Sequence, residues 1–325
     1  MSEDEFCEDE MNGGGAPRDS DHESPAAETC AGAPRRPADF SSGRVAIVLS
    51  AGYFGFFAHA GFMLAVEELG IDYSAIAGSS AGSIVAAMHA SGMPASEIIE
   101  LLIGVRRKDL WDSTGVVGIL RALARRGRGW TGLLRGERFE ERLNRQLRVR
   151  TFEECRRALY ITALNLTRGV EETFYSGTIA DKVRASCSYP FLMSSKAIDG
   201  SEYWDGGFLS KIPLEAMTER EKPDRLIIHY LPMRDEETDL RERRWSAVAL
   251  MERALNISRK EIERHRLCAL GEIRDRITWV EPTVPRVTPR TLSDGRAAAD
   301  AAYRHARSAL GKEFLAQGGP PCPQS

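Results

Sequence analysis

No apolar run in this 325-residue chain is long enough to cross a bilayer as a helix. No Cys-x-x-Cys pair or His/Cys cluster has the spacing of a metal site either. The six cysteines (Cys7, Cys30, Cys155, Cys187, Cys268 and Cys322) are scattered, which argues against zinc or a disulfide framework and suits a reducing compartment. The six histidines are equally dispersed. A net charge of −3 gives no reason to expect a nucleic-acid partner, and the acidic opening is unlike a signal peptide. These absences lead to the expectation of a cytoplasmic protein that uses no metal and no cofactor. What is there is a hydrophobic fraction of 42% beside 28% charged residues, enough apolar material for a sizeable core.

The most informative stretch is Ala77-Gly78-Ser79-Ser80-Ala81-Gly82-Ser83. An apolar run, Ile71 to Ala77, leads into it as a short buried strand, and Ala81 to Ser91 leaves it as a helix. Gly-x-Ser-x-Gly on a sharp strand-to-helix turn holds its serine in a strained conformation with the hydroxyl projecting outward. Gly78 and Gly82 are needed because side chains there would collide as strand and helix close together. The turn also sets Ser80 at a helix N-terminus, where free N–H groups favour a developing oxyanion. A plain Gly/Ser turn is the competing reading.

The rest of the chain supplies the setting. Residues 1–43, acidic and then rich in Pro, Gly and Ala, read as a disordered tail, 44–317 as the folded domain and 318–325 as a flexible end. Arg44 to Ser50 is a β-branched strand, followed by the loop Ala51-Gly52-Tyr53-Phe54-Gly55-Phe56-Phe57 and a helix from Ala58 to Leu69. The aromatic loop either lines an acyl-chain site or packs into the core. A dinucleotide fingerprint fails here, since Gly-x-Gly-x-x-Gly is absent. Residues 106–150 are strongly basic and interleaved with Trp and Leu, which suits a lid or a helix lying on an anionic lipid surface. An ordinary amphipathic pair of surface helices is the alternative. Strands at Ala158–Leu166, Val170–Tyr175 and Arg225–Tyr230 alternate with helices at Ala95–Val105, Ile179–Ser188, Trp245–Leu270 and Arg296–Leu315. A hairpin through Lys196–Ile198 and Glu202–Trp204 delivers Asp205-Gly206-Gly207. This alternation implies an α/β fold, a mainly parallel central sheet between helical layers.

Taken together, the pieces resemble the patatin-like phospholipases over roughly residues 44 to 315. The likeness rests on the loop Ala51 to Phe56, on Gly78 to Gly82, and on Asp205 to Gly207, in that order. Ala58-His59-Ala60-Gly61, Leu133-Leu134-Arg135-Gly136 and Ala185-Ser186-Cys187-Ser188-Tyr189-Pro190 are smaller echoes. The resemblance implies a three-layer sandwich and a lipid acyl hydrolase. Ser80 would be its nucleophile and Asp205 its base, with the N–H groups of Gly52, Tyr53 and Ala81 as oxyanion hole. It also implies a lipid or membrane-surface substrate, and the basic 106–150 region, on its own composition, would meet such a surface peripherally. One departure stands out, the basic residue of the family loop replaced by Gly55, or by Phe54 after a one-residue slip; a minor one is Lys211 in place of an Asn after the Asp-Gly motif. Two other readings stay open. One is a non-catalytic lipid-binding or scaffold member of the fold; the other is an α/β-hydrolase with a Ser-Asp-His triad drawing on His229 or His265.

Overall fold

Strand β1 (Val45–Leu49) is buried along its whole length, as a β-branched run flanked by sheet on both sides must be. The computed structural model describes residues 43–106, 112–113, 115, 131–232 and 247–315. All of them belong to the compact unit Pro37–Ser325. The tail expected at 1–43, but for Gly43, the terminal stretch 318–325 and most of the basic segment between 106 and 130 lie outside the described residues.

After β1 come helix α1 (Phe56–Glu68), β2 (Ala75–Ser79), α2 (Ala81–Ala90) and α3 (Ala95–Ile103). Then follow β3 (Gly132–Leu134), α4 (Glu137–Gln146), β4 (Ala158–Asn165), β5 (Val170–Phe174) and α5 (Ala180–Ser186). The chain continues through β6 (Phe191–Met193), β7 (Lys196–Ile198), β8 (Ser201–Asp205) and β9 (Arg225–His229). It closes with α6 (Ala247–Ala269), β10 (Ile277–Val280) and α7 (Gly295–Leu315). The large sheet runs β10-β9-β1-β2-β4-β8-β7, with β5 also paired to β4. Its β10-β9-β1-β2-β4 portion is parallel, whereas β5 and β8 pair with β4, and β7 with β8, antiparallel. β3 and β6 form a separate two-stranded sheet.

Alternation along β1 separates two cores. Val45, Ile47 and Leu49 face a layer that includes Phe57, Phe62, Val85, Ile98 and Leu310. Ala46 and Val48 face Ile212, Leu214 and Met217, with Leu267 of α6 and Leu270 just after it packed against them. The sheet is thus covered on both faces, the expected layered α/β architecture.

One strand begins later than its sequence suggests. Ile71 and Tyr73 are buried, yet β2 starts only at Ala75, because its register with β1 opens at Ala46↔Ala75. Tyr73 is buried for a different reason: its hydroxyl bonds His89 Nδ1 at 2.6 Å and the Arg157 guanidinium lies over its ring. The extended run expected over 277–287 is likewise a strand only to Val280.

The steric need for Gly82 is direct. A Cβ on it would lie 2.3 Å from the Leu49 carbonyl oxygen and 2.8 Å from that of Ser50, both backbone atoms that cannot rotate away. Gly82→Ala is expected to destabilise the fold by about 3 kcal/mol, seen as a lower urea midpoint at unchanged slope.

Candidate active site

Parallel β1 and β2 end side by side, and each feeds a helix that starts from the same edge of the sheet. Ser80 sits between β2 and α2 at φ 50° and ψ −118°, a region side chains rarely occupy. Gly78 permits this turn: a Cβ there would meet the Gly82 carbonyl group at 2.5 Å. From this position the Ser80 hydroxyl donates to Asp205 Oδ2 at 2.6 Å. Antiparallel pairing of β8 with β4, with Ala163 opposite Asp205, carries the carboxylate across the sheet to the serine.

Asp205 is almost fully buried. Its backbone N–H donates to the Ser188 carbonyl at 3.0 Å, and its Oδ1 accepts from Gly207 N–H at 2.8 Å. Burial pushes its carboxyl up to about 6, against the stabilising pull of the Ser80 hydroxyl, the Gly207 N–H and the Arg259 charge. Gly206 and Gly207 are close-approach positions: a Cβ on them would meet the Thr162 carbonyl and the Ala51 Cβ at 2.3 Å each.

Three partners that the motif search did not single out fasten the serine. Ser80 N–H donates to Ser186 Oγ at 2.8 Å, and that hydroxyl donates onward to the Thr162 carbonyl of β4 at 2.7 Å. Ser83 Oγ and the Cys187 thiol both donate to the Ser80 carbonyl, at 2.6 and 3.4 Å. Burial raises the Cys187 thiol far above its ordinary range, so it stays protonated. Ser186 and Cys187 stand in the short Ala185–Pro190 echo, which was the only trace of them in the sequence.

The glycine-bearing loop lies next to this centre. Ala51 N–H donates to the Lys211 carbonyl at 2.7 Å, and a turn closed by Gly55 N–H on the Gly52 carbonyl at 2.9 Å carries Phe54 at φ 53°. Tyr53 is 58% exposed, whereas Phe56 and Phe57 are buried in the core, so the aromatic loop is divided between surface and interior. Ala81 opens α2 as its first residue. Lys211, set aside by the sequence as a minor departure, is buried: its ammonium donates to the Leu231 carbonyl and lies 4.4 Å from the Tyr230 ring centroid. The Leu231 side chain in turn fills the space under Gly52 and Gly55.

The histidines lie elsewhere. His59 Nε2 faces the Ser50 carbonyl at 2.8 Å and must carry the proton there, so its Nδ1 accepts from His229 Nδ1–H at 2.7 Å. Both rings are fully buried, which drives their basicity down and keeps them neutral. His265 is exposed on α6 and reaches Glu261 at 3.1 Å. His265→Ala is expected to leave ester turnover within about twofold; a nitrophenyl-ester assay checks this, and a large loss would favour the triad. Among the described residues no group of three or more His, Cys, Asp or Glu side chains gathers to hold a metal.

A family model described as Patatin-like phospholipase matches residues 47–218, more than half of the chain. The chain belongs to the patatin-like phospholipase family. The match to this family begins inside β1, runs past Asp205 and stops short of α6. An uncharacterized NTE family protein of Mycobacterium tuberculosis is 30% identical over 174 residues, 54% of this chain and 45% of that protein. Lysophospholipase NTE1 of Kluyveromyces lactis is 28% identical over 177 residues, 54% of this chain and 12% of that one. The patatin-like chain therefore spans less than half the length of these two relatives. The crystal structure of VipD from Legionella pneumophila shares the fold at a TM-score of 0.50 and 16% identity, over 89% of this chain and 73% of that chain.

Proposed function

We propose that this patatin-like chain is a serine acyl hydrolase that cleaves carboxylic ester bonds of lipids, with Ser80 as nucleophile and Asp205 as general base. The single observation that carries the reading is the 2.6 Å hydrogen bond from the Ser80 hydroxyl to a buried carboxylate. An aspartate of ordinary pKa is a feeble base for an alcohol. Desolvation makes this one more willing to accept a proton, and the short contact lets it do so without an intermediary. In the proposed reaction Ser80 Oγ attacks the ester carbonyl as its proton passes to Asp205 Oδ2. The tetrahedral oxyanion is met by the N–H groups of Gly52, Tyr53 and Ala81. Collapse expels the alcohol, which takes the proton from Asp205, and water, activated by the same carboxylate, releases the fatty acid from Ser80.

The name of the yeast relative supports a lysophospholipid as the first substrate to assay, with two-chain phospholipids and neutral glycerides beside it. Contact with a lipid surface through the basic 106–150 region belongs to the same proposal. Among the described residues no helix is long and apolar enough to cross a membrane. The glycine or phenylalanine at the loop's basic position favours a second reading, a fold member that binds lipid without turning it over. A fluorophosphonate probe separates the two. Covalent labelling of the full chain that vanishes in Ser80→Ala supports the hydrolase, and a wild-type chain that takes no label supports the binding protein.

A further inference from the structure

Arg259, on the inward face of α6, is buried, and among the described residues no carboxylate is bonded to its guanidinium. Its Nε donates to the Phe208 carbonyl at 2.8 Å, its Nη1 donates to Asn256 Oδ1 at 2.9 Å, and its Nη2 has no partner among the described residues. The guanidinium carbon lies 5.3 Å from the Phe208 ring centroid. Phe208 ends the single helical turn Gly206–Phe208 that begins directly after Asp205, and the same turn supplies the Gly207 N–H to the carboxylate. A buried cation left without a counter-charge is expensive, and hydrogen bonds to neutral acceptors together with a nearby negative charge reduce that cost.

We infer that Arg259 is a positioning residue for Asp205: it fastens the turn behind the carboxylate and supplies the buried positive charge that keeps the carboxylate ionised. The inference rests on the acyl-hydrolase reading above. Other groups near the pair do not supply this charge. From the turn before α2 comes the Ser80 hydroxyl, and from the residue just after α5 the protonated Cys187 thiol. Arg184, also on α5, donates to the Ser188 hydroxyl and to the Arg135 and Ser194 carbonyls. Lys211 and Lys260 add positive charge near Arg259, but Glu263 accepts from Lys211 N–H at 2.8 Å and from the Tyr230 hydroxyl at 3.2 Å, so its charge is engaged there. Among the described residues Arg259 is the charged side chain whose attraction lowers the Asp205 carboxyl, against the larger upward push of burial. No sequence signal marked it, since α6 lies beyond the family match.

The test is the acid limb of the pH–rate profile for a soluble nitrophenyl ester, measured on the full chain at constant ionic strength. Removing the charge while keeping an N–H donor, in Arg259→Gln, is expected to move the limb upward by about one pH unit. Arg259→Lys, which keeps the charge, is expected to leave it in place. Asn256→Asp gives the same guanidinium a bonded counter-charge and is expected to shift the limb in the direction of Arg259→Gln. A purely structural role would lower the whole profile without moving its midpoint. An unmoved limb in Arg259→Gln overturns the inference, and an unmoved limb in Asn256→Asp overturns it even where Arg259→Gln does not fold. If Ser80→Ala keeps full turnover, the hydrolase reading falls and this inference with it. If Ser80→Ala is inactive and the limb stays fixed, this inference alone falls.

Discussion

Ser80→Ala is expected to lower ester hydrolysis by at least about 10⁴-fold, down to the rate left by binding and backbone polarisation alone. The loss follows from what the substitution deletes and what it leaves. Removing the hydroxyl takes away the atom that would form the acyl-enzyme, while a methyl group fits where the methylene already sits. The strained φ of 50° persists, because it is imposed by the close approach of β2 and α2 around Gly78 and Gly82. Substrate binding should therefore survive, so the loss falls on kcat with KM little changed. Steady-state assays with a nitrophenyl ester and a lysophospholipid check both parts. Retention of more than a tenth of wild-type kcat would assign the nucleophile elsewhere.

Asp205→Asn is expected to reduce turnover by about 10³-fold and, at the same time, to make the protein harder to unfold. The amide can still accept from Gly207 N–H and reach the Ser80 hydroxyl, but it cannot take a proton. The gain in stability comes from the raised pKa. In the unfolded chain the carboxyl ionises near 3.8; in the folded chain it does so only near 6. Between these values the native state holds the extra proton, so stability falls as pH rises through the window. Above it the penalty is complete, about 3 kcal/mol for about two pH units. Asparagine carries no such penalty. Urea unfolding should therefore find the variant and the wild type close together near pH 4 and separated by about 3 kcal/mol at pH 7.5. A variant less stable than wild type at pH 7.5 would contradict this account of the carboxylate.

Much of the fold was legible because its signals are local. The β-branched run at Val45–Leu49, the alternation of strand and helix that follows, and glycines two residues either side of Ser80 are all written within short windows. Apart from the late start of β2 and the early end of β10, their structural outcomes lie within a residue or two of what those windows suggest. The distance from Ser80 to Asp205 is a different matter. The two are 125 residues apart, and only the pairing of β4 with both β2 and β8 makes them neighbours. The roles of Ser186, Lys211 and Arg259 were illegible for the same reason. A serine in a helix end, a lysine after a turn and an arginine on an amphipathic helix are ordinary in sequence, and each matters here only through a partner far along the chain. The late start of β2 belongs with them: apolar content marked Ile71 and Tyr73 as buried, but the register with β1, which sequence does not display, decided where pairing begins.

The bonding of the Ser80 main chain has a consequence for how substrates are chosen. With its amide tied through Ser186 to β4 and its carbonyl gripped by Ser83 and Cys187, the residue has no slack to take up when a ligand arrives. Under the acyl-hydrolase reading proposed above, recognition by local reshaping of Ser80 is thereby foreclosed. Discrimination between lipids would then fall to the doorway, the rim that admits or turns away a chain, with the Ser80 centre behind it a fixed anvil.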